Sequence, residues 1–153
     1  MDGPLRVRAA RPGDLESLVD FNCRLARETE DHELDPATVR RGLTRLFDNP
    51  AAGFYTVAEQ EGRVVGCLLI TFEWSDWRDG WLWWIQSVYV VEAARRLGVF
   101  RQLFEHVREK AETDGDVRGL RLYVERGNGR AQATYASMGM AEAPYKLYER
   151  YFP

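Results

Sequence analysis

The sequence predicts an α/β fold: a mixed central sheet of about six or seven strands flanked by about four helices. Three observations carry this. Runs of two-residue alternation are interleaved with runs whose apolar residues recur every three or four positions. The eleven residues from Trp81 to Val91 carry no charge and are apolar on both faces, as a central strand covered on both sides must be. A helical pattern then separates that strand from the next alternating run, so these two strands should lie parallel, joined by a right-handed crossover.

Each element has its own signal. Leu5 to Ala9 alternates and reads as an opening strand, and Arg11-Pro12-Gly13 is a turn. Asp14 and Glu16 place negative charge in the first turn of a helix, where the helix dipole favours it. Leu15, Leu18, Val19, Leu25 and Ala26 give that helix one apolar face, to about Thr29. Asp35-Pro36 starts a second helix with a capping carboxylate and a first-turn proline, and Asn49-Pro50 ends it. Phe54 to Ala58 and Val64 to Phe72 are β-rich runs separated by Gln60 to Arg63, which predicts an antiparallel hairpin. After the Trp81 strand, the apolar residues Phe100, Leu103, Phe104, Val107 and Ala111 define a third helix to about Glu112. Leu120, Leu122 and Val124 mark a further strand, Asn128 to about Met138 a short helix, and Tyr145 to Phe152 a last strand. With no linker or repeat, residues 1–153 are expected to form one domain.

Composition narrows the function. A net charge of −3 and a pI near 5.5 argue against nucleic acid as a partner. Cys23, Cys67, His32 and His106 lack metal-ligand spacing, so no metal is expected. The longest uncharged run is too short to cross a bilayer, which takes about 20 residues, and no leader pattern opens the chain. These points favour a reduced, cytoplasmic protein with no membrane association.

The joint from Trp81 to Ala111 carries the functional signal. A strand, a basic loop and a helix follow directly, leaving free N–H groups and the positive end of a helix dipole at the loop. Arg95, Arg96 and Arg101 lie within seven residues of one another, and Gly98 would let a ligand approach the backbone. Neither a GxGxxG nor a GxxxxGK[ST] pattern is present. Val88-Tyr89-Val90 followed by Arg95-Arg96-Leu97-Gly98-Val99-Phe100 resembles the acyl-CoA signature of the GNAT family of N-acetyltransferases. Downstream, Asn128-Gly129-Arg130-Ala131, Tyr135 and Met138-Gly139-Met140 resemble that family's second motif. The order of elements is also that of the family. Two positions depart from it: Phe100 stands where Gly or Ala is usual, and Arg96 replaces a frequent glycine.

The resemblance implies a GNAT fold and transfer of an acetyl group from acetyl-CoA to an amine. Backbone amides from Arg96 to Arg101 would hold the pyrophosphate. The edge of Val88 to Val90 would pair with the pantetheine arm, and an amide near Tyr89 would stabilise the oxyanion. Tyr135 would be the general acid, and Asn128 and Ala131 would lie along the CoA arm, although an N-cap role suits Asn128 equally. Relatives carry a glutamate where this chain has Gln86, which cannot act as a base. Glu73 is the expected substitute, with Asp76 and Glu28 behind it. Glu28, Glu30, Tyr55, Trp74, Trp84 and Gln86 would line the pocket of a small cationic amine, by charge and by cation–π contact. The aromatic residues equally suit a core or a homodimer interface. Acetylation of a protein lysine or N-terminus, and a CoA-sensing module without catalysis, are the alternatives.

Overall fold

The computed structural model describes residues 2–153. They contain five strands and four α-helices: β1 (Leu5–Ala9), α1 (Leu15–Glu30), α2 (Pro36–Phe47), β2 (Gly53–Gln60), β3 (Arg63–Ser75), β4 (Gly80–Val90), α3 (Val99–Asp114), β5 (Val117–Leu122) and α4 (Gly129–Ser137). The strands form one sheet in the order β1-β2-β3-β4-β5. The first four are antiparallel neighbours, and β5 runs parallel to β4 across the α3 crossover. The mixed α/β sheet is as expected, but it has five strands rather than six or seven. Tyr145 to Phe152 alternates as a strand would, yet it has no ladder partner among the described residues and leaves Tyr148 88% exposed. Alternation shows that a segment suits a half-buried strand; it does not supply an edge to pair with.

The chain divides into two units, one ending at Leu122 and one beginning at Tyr123. In the first, the two faces of the sheet are filled differently. On one, Phe54, Ile70, Phe72, Trp83 and Ile85 are cross-strand neighbours, with Phe54 and Trp83 edge-to-face at 5.3 Å. On the other, Tyr55, Val57, Cys67 and Tyr89 pack with Leu18, Val19, Phe21 and Leu43 of α1 and α2. A bidentate Arg8–Asp14 pair, with Glu59 2.8 Å from the same guanidinium, ties β1 to β2 and to the start of α1. That guanidinium holds the Asp14 carboxyl below its ordinary range.

The buried stripe of α3 is Val99, Leu103, Phe104, Val107 and Ala111. Val99 therefore takes the innermost first-turn position expected for Phe100, which is only half-buried. Gly66 on β3 permits this seat: a Cβ there would lie 3.0 Å from Val99 and 3.4 Å from Leu103. The first turn of α3 is thus pressed against the sheet beside the end of β4.

In the second unit, Asn128 caps α4 by accepting from the Ala131 amide at 3.1 Å. Gln132 donates to the carbonyls of Glu125 and Arg126, which fixes the approach to the helix.

Candidate functional site

The site is built on the change of pairing within β4. From Trp81 to Ile85 this strand is paired on both sides, with β3 and with β5. The β5 ladder ends at Ile85–Leu122, so Gln86 to Val90 have no β5 partner. On the β3 side the register shifts between Cys67 and Leu69: Gln86 opposes Leu69 and Tyr89 opposes Cys67. Ser87 and Val88 together face the single residue Leu68, which is a β-bulge. Ser87 has φ 48°, a left-handed conformation that an L-residue adopts at a cost, of the kind found at functional sites. Its carbonyl accepts from Cys67 Sγ at 3.5 Å. Burial pushes the Cys67 thiol up to about 12.

The strand end leads into a short turn, Glu92–Ala94, and then to Gly98, the N-cap of α3. Gly98 has φ 78°, and an added Cβ would meet nothing within 4 Å, so the backbone lies open to solvent there. The first helical bond runs from Gln102 N to Gly98 O. The amides of Val99, Phe100 and Arg101 therefore precede it and have no helical acceptor.

The three arginines of the joint are not equivalent. Arg95 donates to Val90 O at 2.9 Å and to Glu28 Oε2 at 2.7 Å, and its guanidinium lies 5.5 Å from the Tyr89 ring centroid. The Tyr89 hydroxyl donates to Glu28 Oε1 at 3.1 Å. Burial first, and then Glu28, raise the Tyr89 phenol above its ordinary value. Arg96 and Arg101 are exposed and make no side-chain hydrogen bond or ion pair among the described residues. Two cations of the loop are thus available to an anion, while the third holds Glu28, a residue the sequence placed with the amine.

Beyond the bulge, the α1 side of the sheet carries a polar group. Glu73, Thr71, Trp84 and Gln86 share that side by strand alternation, and Arg121 of β5 stands opposite Trp84. Arg121 Nη1 donates to Glu73 Oε2 at 2.7 Å, and its guanidinium lies 6.0 Å from the Trp84 ring centroid. Gln86 Nε2 donates to Thr71 Oγ1. Trp74 lies on the opposite side, edge-to-face with Trp81 at 5.0 Å, so the structure does not bring it to Glu73 and Trp84. Tyr55 belongs to the core, and Asn22 Nδ2 donates to its hydroxyl at 3.0 Å. Glu30 ends α1, and Asp76 lies in the turn after β3, both exposed. Sequence reasoning missed Arg121. Its alternation with Leu120 and Leu122 was visible, but the partner lies 48 residues away.

In the second unit, Tyr135 sits on α4, and burial raises its phenol above the ordinary value. Met140 N donates to Tyr135 O at 3.1 Å, and Gly139 has φ 86°, so the small-residue turn closes the helix.

The family model of the GNAT acetyltransferases matches residues 15–140, from the first turn of α1 to the turn after α4. The chain belongs to the GNAT acetyltransferase family. It is 41% identical to a protein from Clostridium difficile 630 described as "a possible acetyltransferase", over 97% of this chain and 98% of that one, with a TM-score of 0.91. A protein from Clostridium acetobutylicum described as a "predicted acetyltransferase", solved with acetyl-CoA, has the same fold at a TM-score of 0.79 and 16% identity, covering 96% of each chain. A Bacillus halodurans C-125 protein described as a transcriptional regulator also shares the fold, at a TM-score of 0.81 and 23% identity, over 97% of this chain and all of that one. No curated protein sequence matches.

As a GNAT acetyltransferase, the protein uses acetyl-CoA as acyl donor, and its joint fits that group on two counts. The β4 edge from Gln86 to Val90, with no β5 partner, can meet an extended amide-bearing arm, and the open backbone at Gly98 leads into the amides that precede the first helical bond of α3. Among the described residues no group of three or more His, Cys, Asp or Glu could hold a metal ion.

Proposed function

We propose that the protein transfers an acetyl group from acetyl-CoA to the primary amine of a small molecule, by direct attack with both substrates bound. The observation that carries this reading is the bulged, one-sided end of β4 set against the start of α3. Acetyl-CoA supplies an activated thioester. The chain supplies the geometry. Val88, Tyr89 and Val90 offer backbone groups to the pantetheine amides. The amides of Arg96 to Arg101, with the Arg96 and Arg101 side chains, hold the pyrophosphate. A backbone N–H near Tyr89 stabilises charge developing on the acetyl oxygen.

Proton transfer uses two side chains. Glu73 takes a proton from the substrate ammonium, directly or through water, and the neutral amine then attacks the thioester carbon. One of its oxygens, Oε2, is held by Arg121, which orients the carboxylate. Tyr135 gives its proton to the departing thiolate. Its raised phenol keeps that proton at neutral pH, and its place in the second motif supports the assignment. The reading places the protein in the cytoplasm, in keeping with two free cysteines, and leaves room for a homodimer.

A non-catalytic acyl-CoA sensor is favoured by one feature. Gln86 takes the place of a carboxylate, and its amide is committed to Thr71. Thermal-shift titration with acetyl-CoA, followed by a thiol-release assay over a panel of amines, separates the two. Stabilisation with thiol release is expected. Stabilisation without release on any amine favours the sensor, and no stabilisation sinks both. Tyr135→Phe should lower turnover severalfold or more with acetyl-CoA affinity nearly intact; equal turnover removes Tyr135 from the mechanism.

A further inference from the structure

We infer that the amine accepted by this site carries a carboxylate, and that Arg121 is the residue that selects for it. The inference rests on the acetyltransfer reading and deepens it. A pocket built for a bare cation should present carboxylates and uncovered aromatic faces. This one presents a guanidinium. Arg121 lies beside the Trp84 ring at 6.0 Å, so the aromatic ring expected to meet a cationic substrate already carries a cation of the protein. Arg121 faces Trp84 across the β4–β5 ladder, one pair before that ladder ends at Ile85–Leu122. It therefore stands at the point where the two strands part.

The charge arrangement is that of an amino-acid receptor. Glu73 and Arg121 place a negative and a positive group 2.7 Å apart, both partly exposed, at 39% and 30% of their side chains. Only Nη1 of Arg121 is used, on Glu73 Oε2; its other donors make no hydrogen bond among the described residues. A guanidinium presents five N–H donors in a planar fork, so a substrate carboxylate can take a free edge while Glu73 keeps its bond. The ammonium of the same molecule then lies toward Glu73, the proton acceptor. Were the pair only a cross-strand tie, its removal would alter stability and leave the choice between acceptors untouched.

The test compares α- and ω-amino acids, each beside the amine that its decarboxylation would give, in the thiol-release assay. The expected result is a preference in kcat/KM for a carboxylate-bearing acceptor over its decarboxylated partner of roughly tenfold to a hundredfold, the scale of a charge-assisted hydrogen bond. Arg121→Gln should bring that ratio near unity through KM, while kcat falls alike for both kinds of acceptor because Glu73 loses its orienting partner, and leave acetyl-CoA stabilisation of the protein in place. Arg121→Lys keeps the charge without the fork and should retain part of the preference; it also serves if the glutamine variant fails to fold. Turnover of plain amines at equal or greater kcat/KM overturns this inference and leaves acetyltransfer standing. A preference that survives in Arg121→Gln, or in Arg121→Lys at full size where the glutamine variant does not fold, overturns it also. Thiol release from no acceptor of either kind overturns both.

Discussion

The two halves of β4 share one strand and do different work. From Trp81 to Ile85 it is an interior strand, paired on both sides, with Leu82, Trp83 and Ile85 at most 5% exposed. From Gln86 to Val90 it has lost its β5 neighbour and carries a bulge with a left-handed serine. The first half is held by packing. The second departs from regular pairing at a place where open backbone groups can meet a ligand. The departure is tolerated because the first half and the α3 seat on Gly66 fix both of its ends.

Substitutions should therefore separate stability from binding along this strand. Trp83→Ala should have the largest effect on folding. The ring is buried against Phe54 and Phe72, and its loss should cost about 3–5 kcal/mol in urea unfolding. Acetyl-CoA affinity of the protein that remains folded should change little. A severalfold loss of affinity would show that the two halves are not independent.

The next effect is read in pH. Folded Cys67 holds its proton to about 12, against an ordinary value of 9.0, and buried Tyr55 also holds its own to about 12. Both values are raised on folding, so the stability they contribute is complete below pH 9 and falls as pH rises through 12. Unfolding free energy should decline steeply across that window, by on the order of a few kcal/mol. Cys67→Ala should make the decline shallower, leaving the part due to Tyr55. A slope equal to that of the unsubstituted protein would mean that the thiol beside the bulge is not sealed from water.

Gly98→Val tests the loop. The positive φ there should cost about 1–2 kcal/mol in stability. The new side chain would also stand in the open space where the proposed site takes the phosphates, so the acetyl-CoA Kd should rise more than stability alone explains. Ser87→Gly tests the bulge from the other direction. It relieves a strained φ and should stabilise the protein by up to about 1 kcal/mol. Acetyl-CoA binding should weaken modestly, because the backbone donors are no longer held. Unchanged binding would show that the bulge needs no side chain to keep its shape.

The same division explains what the sequence revealed. The paired half of β4 was legible because an uncharged run apolar on both faces has one structural solution. The joint was legible because strand, basic loop and helix are consecutive. The bulge was not, since it is a matter of register between Ser87-Val88 and Leu68, which no local pattern records. Arg121 meeting Glu73, and Arg95 meeting Glu28, depend on contacts 48 and 67 residues apart. Val99 in place of Phe100 follows from the close approach at Gly66, which three-and-four spacing cannot rank. Tyr145 to Phe152 shows the opposite error: the local pattern is clear, and the partner that would make it a strand is absent among the described residues.

The smallest effect should come from Glu28→Gln, and it bears most directly on the open half. Glu28 and Arg95 are both partly exposed, at 44% and 42% of their side chains, so losing their ion pair should cost no more than about 1 kcal/mol. The chemical consequence is larger than the energetic one. Glu28 raises the Tyr89 phenol, second to burial, so the variant should titrate Tyr89 at lower pH in an absorbance measurement. Arg95 would keep its bond to Val90 O and lose its carboxylate, adding a third unpaired cation to Arg96 and Arg101. Acetyl-CoA should then bind more tightly, by a margin that shrinks as salt is added. Tighter binding would mean that Glu28 restrains Arg95 in the free protein. Weaker binding would mean that Glu28 instead holds the end of β4 in the shape the donor needs.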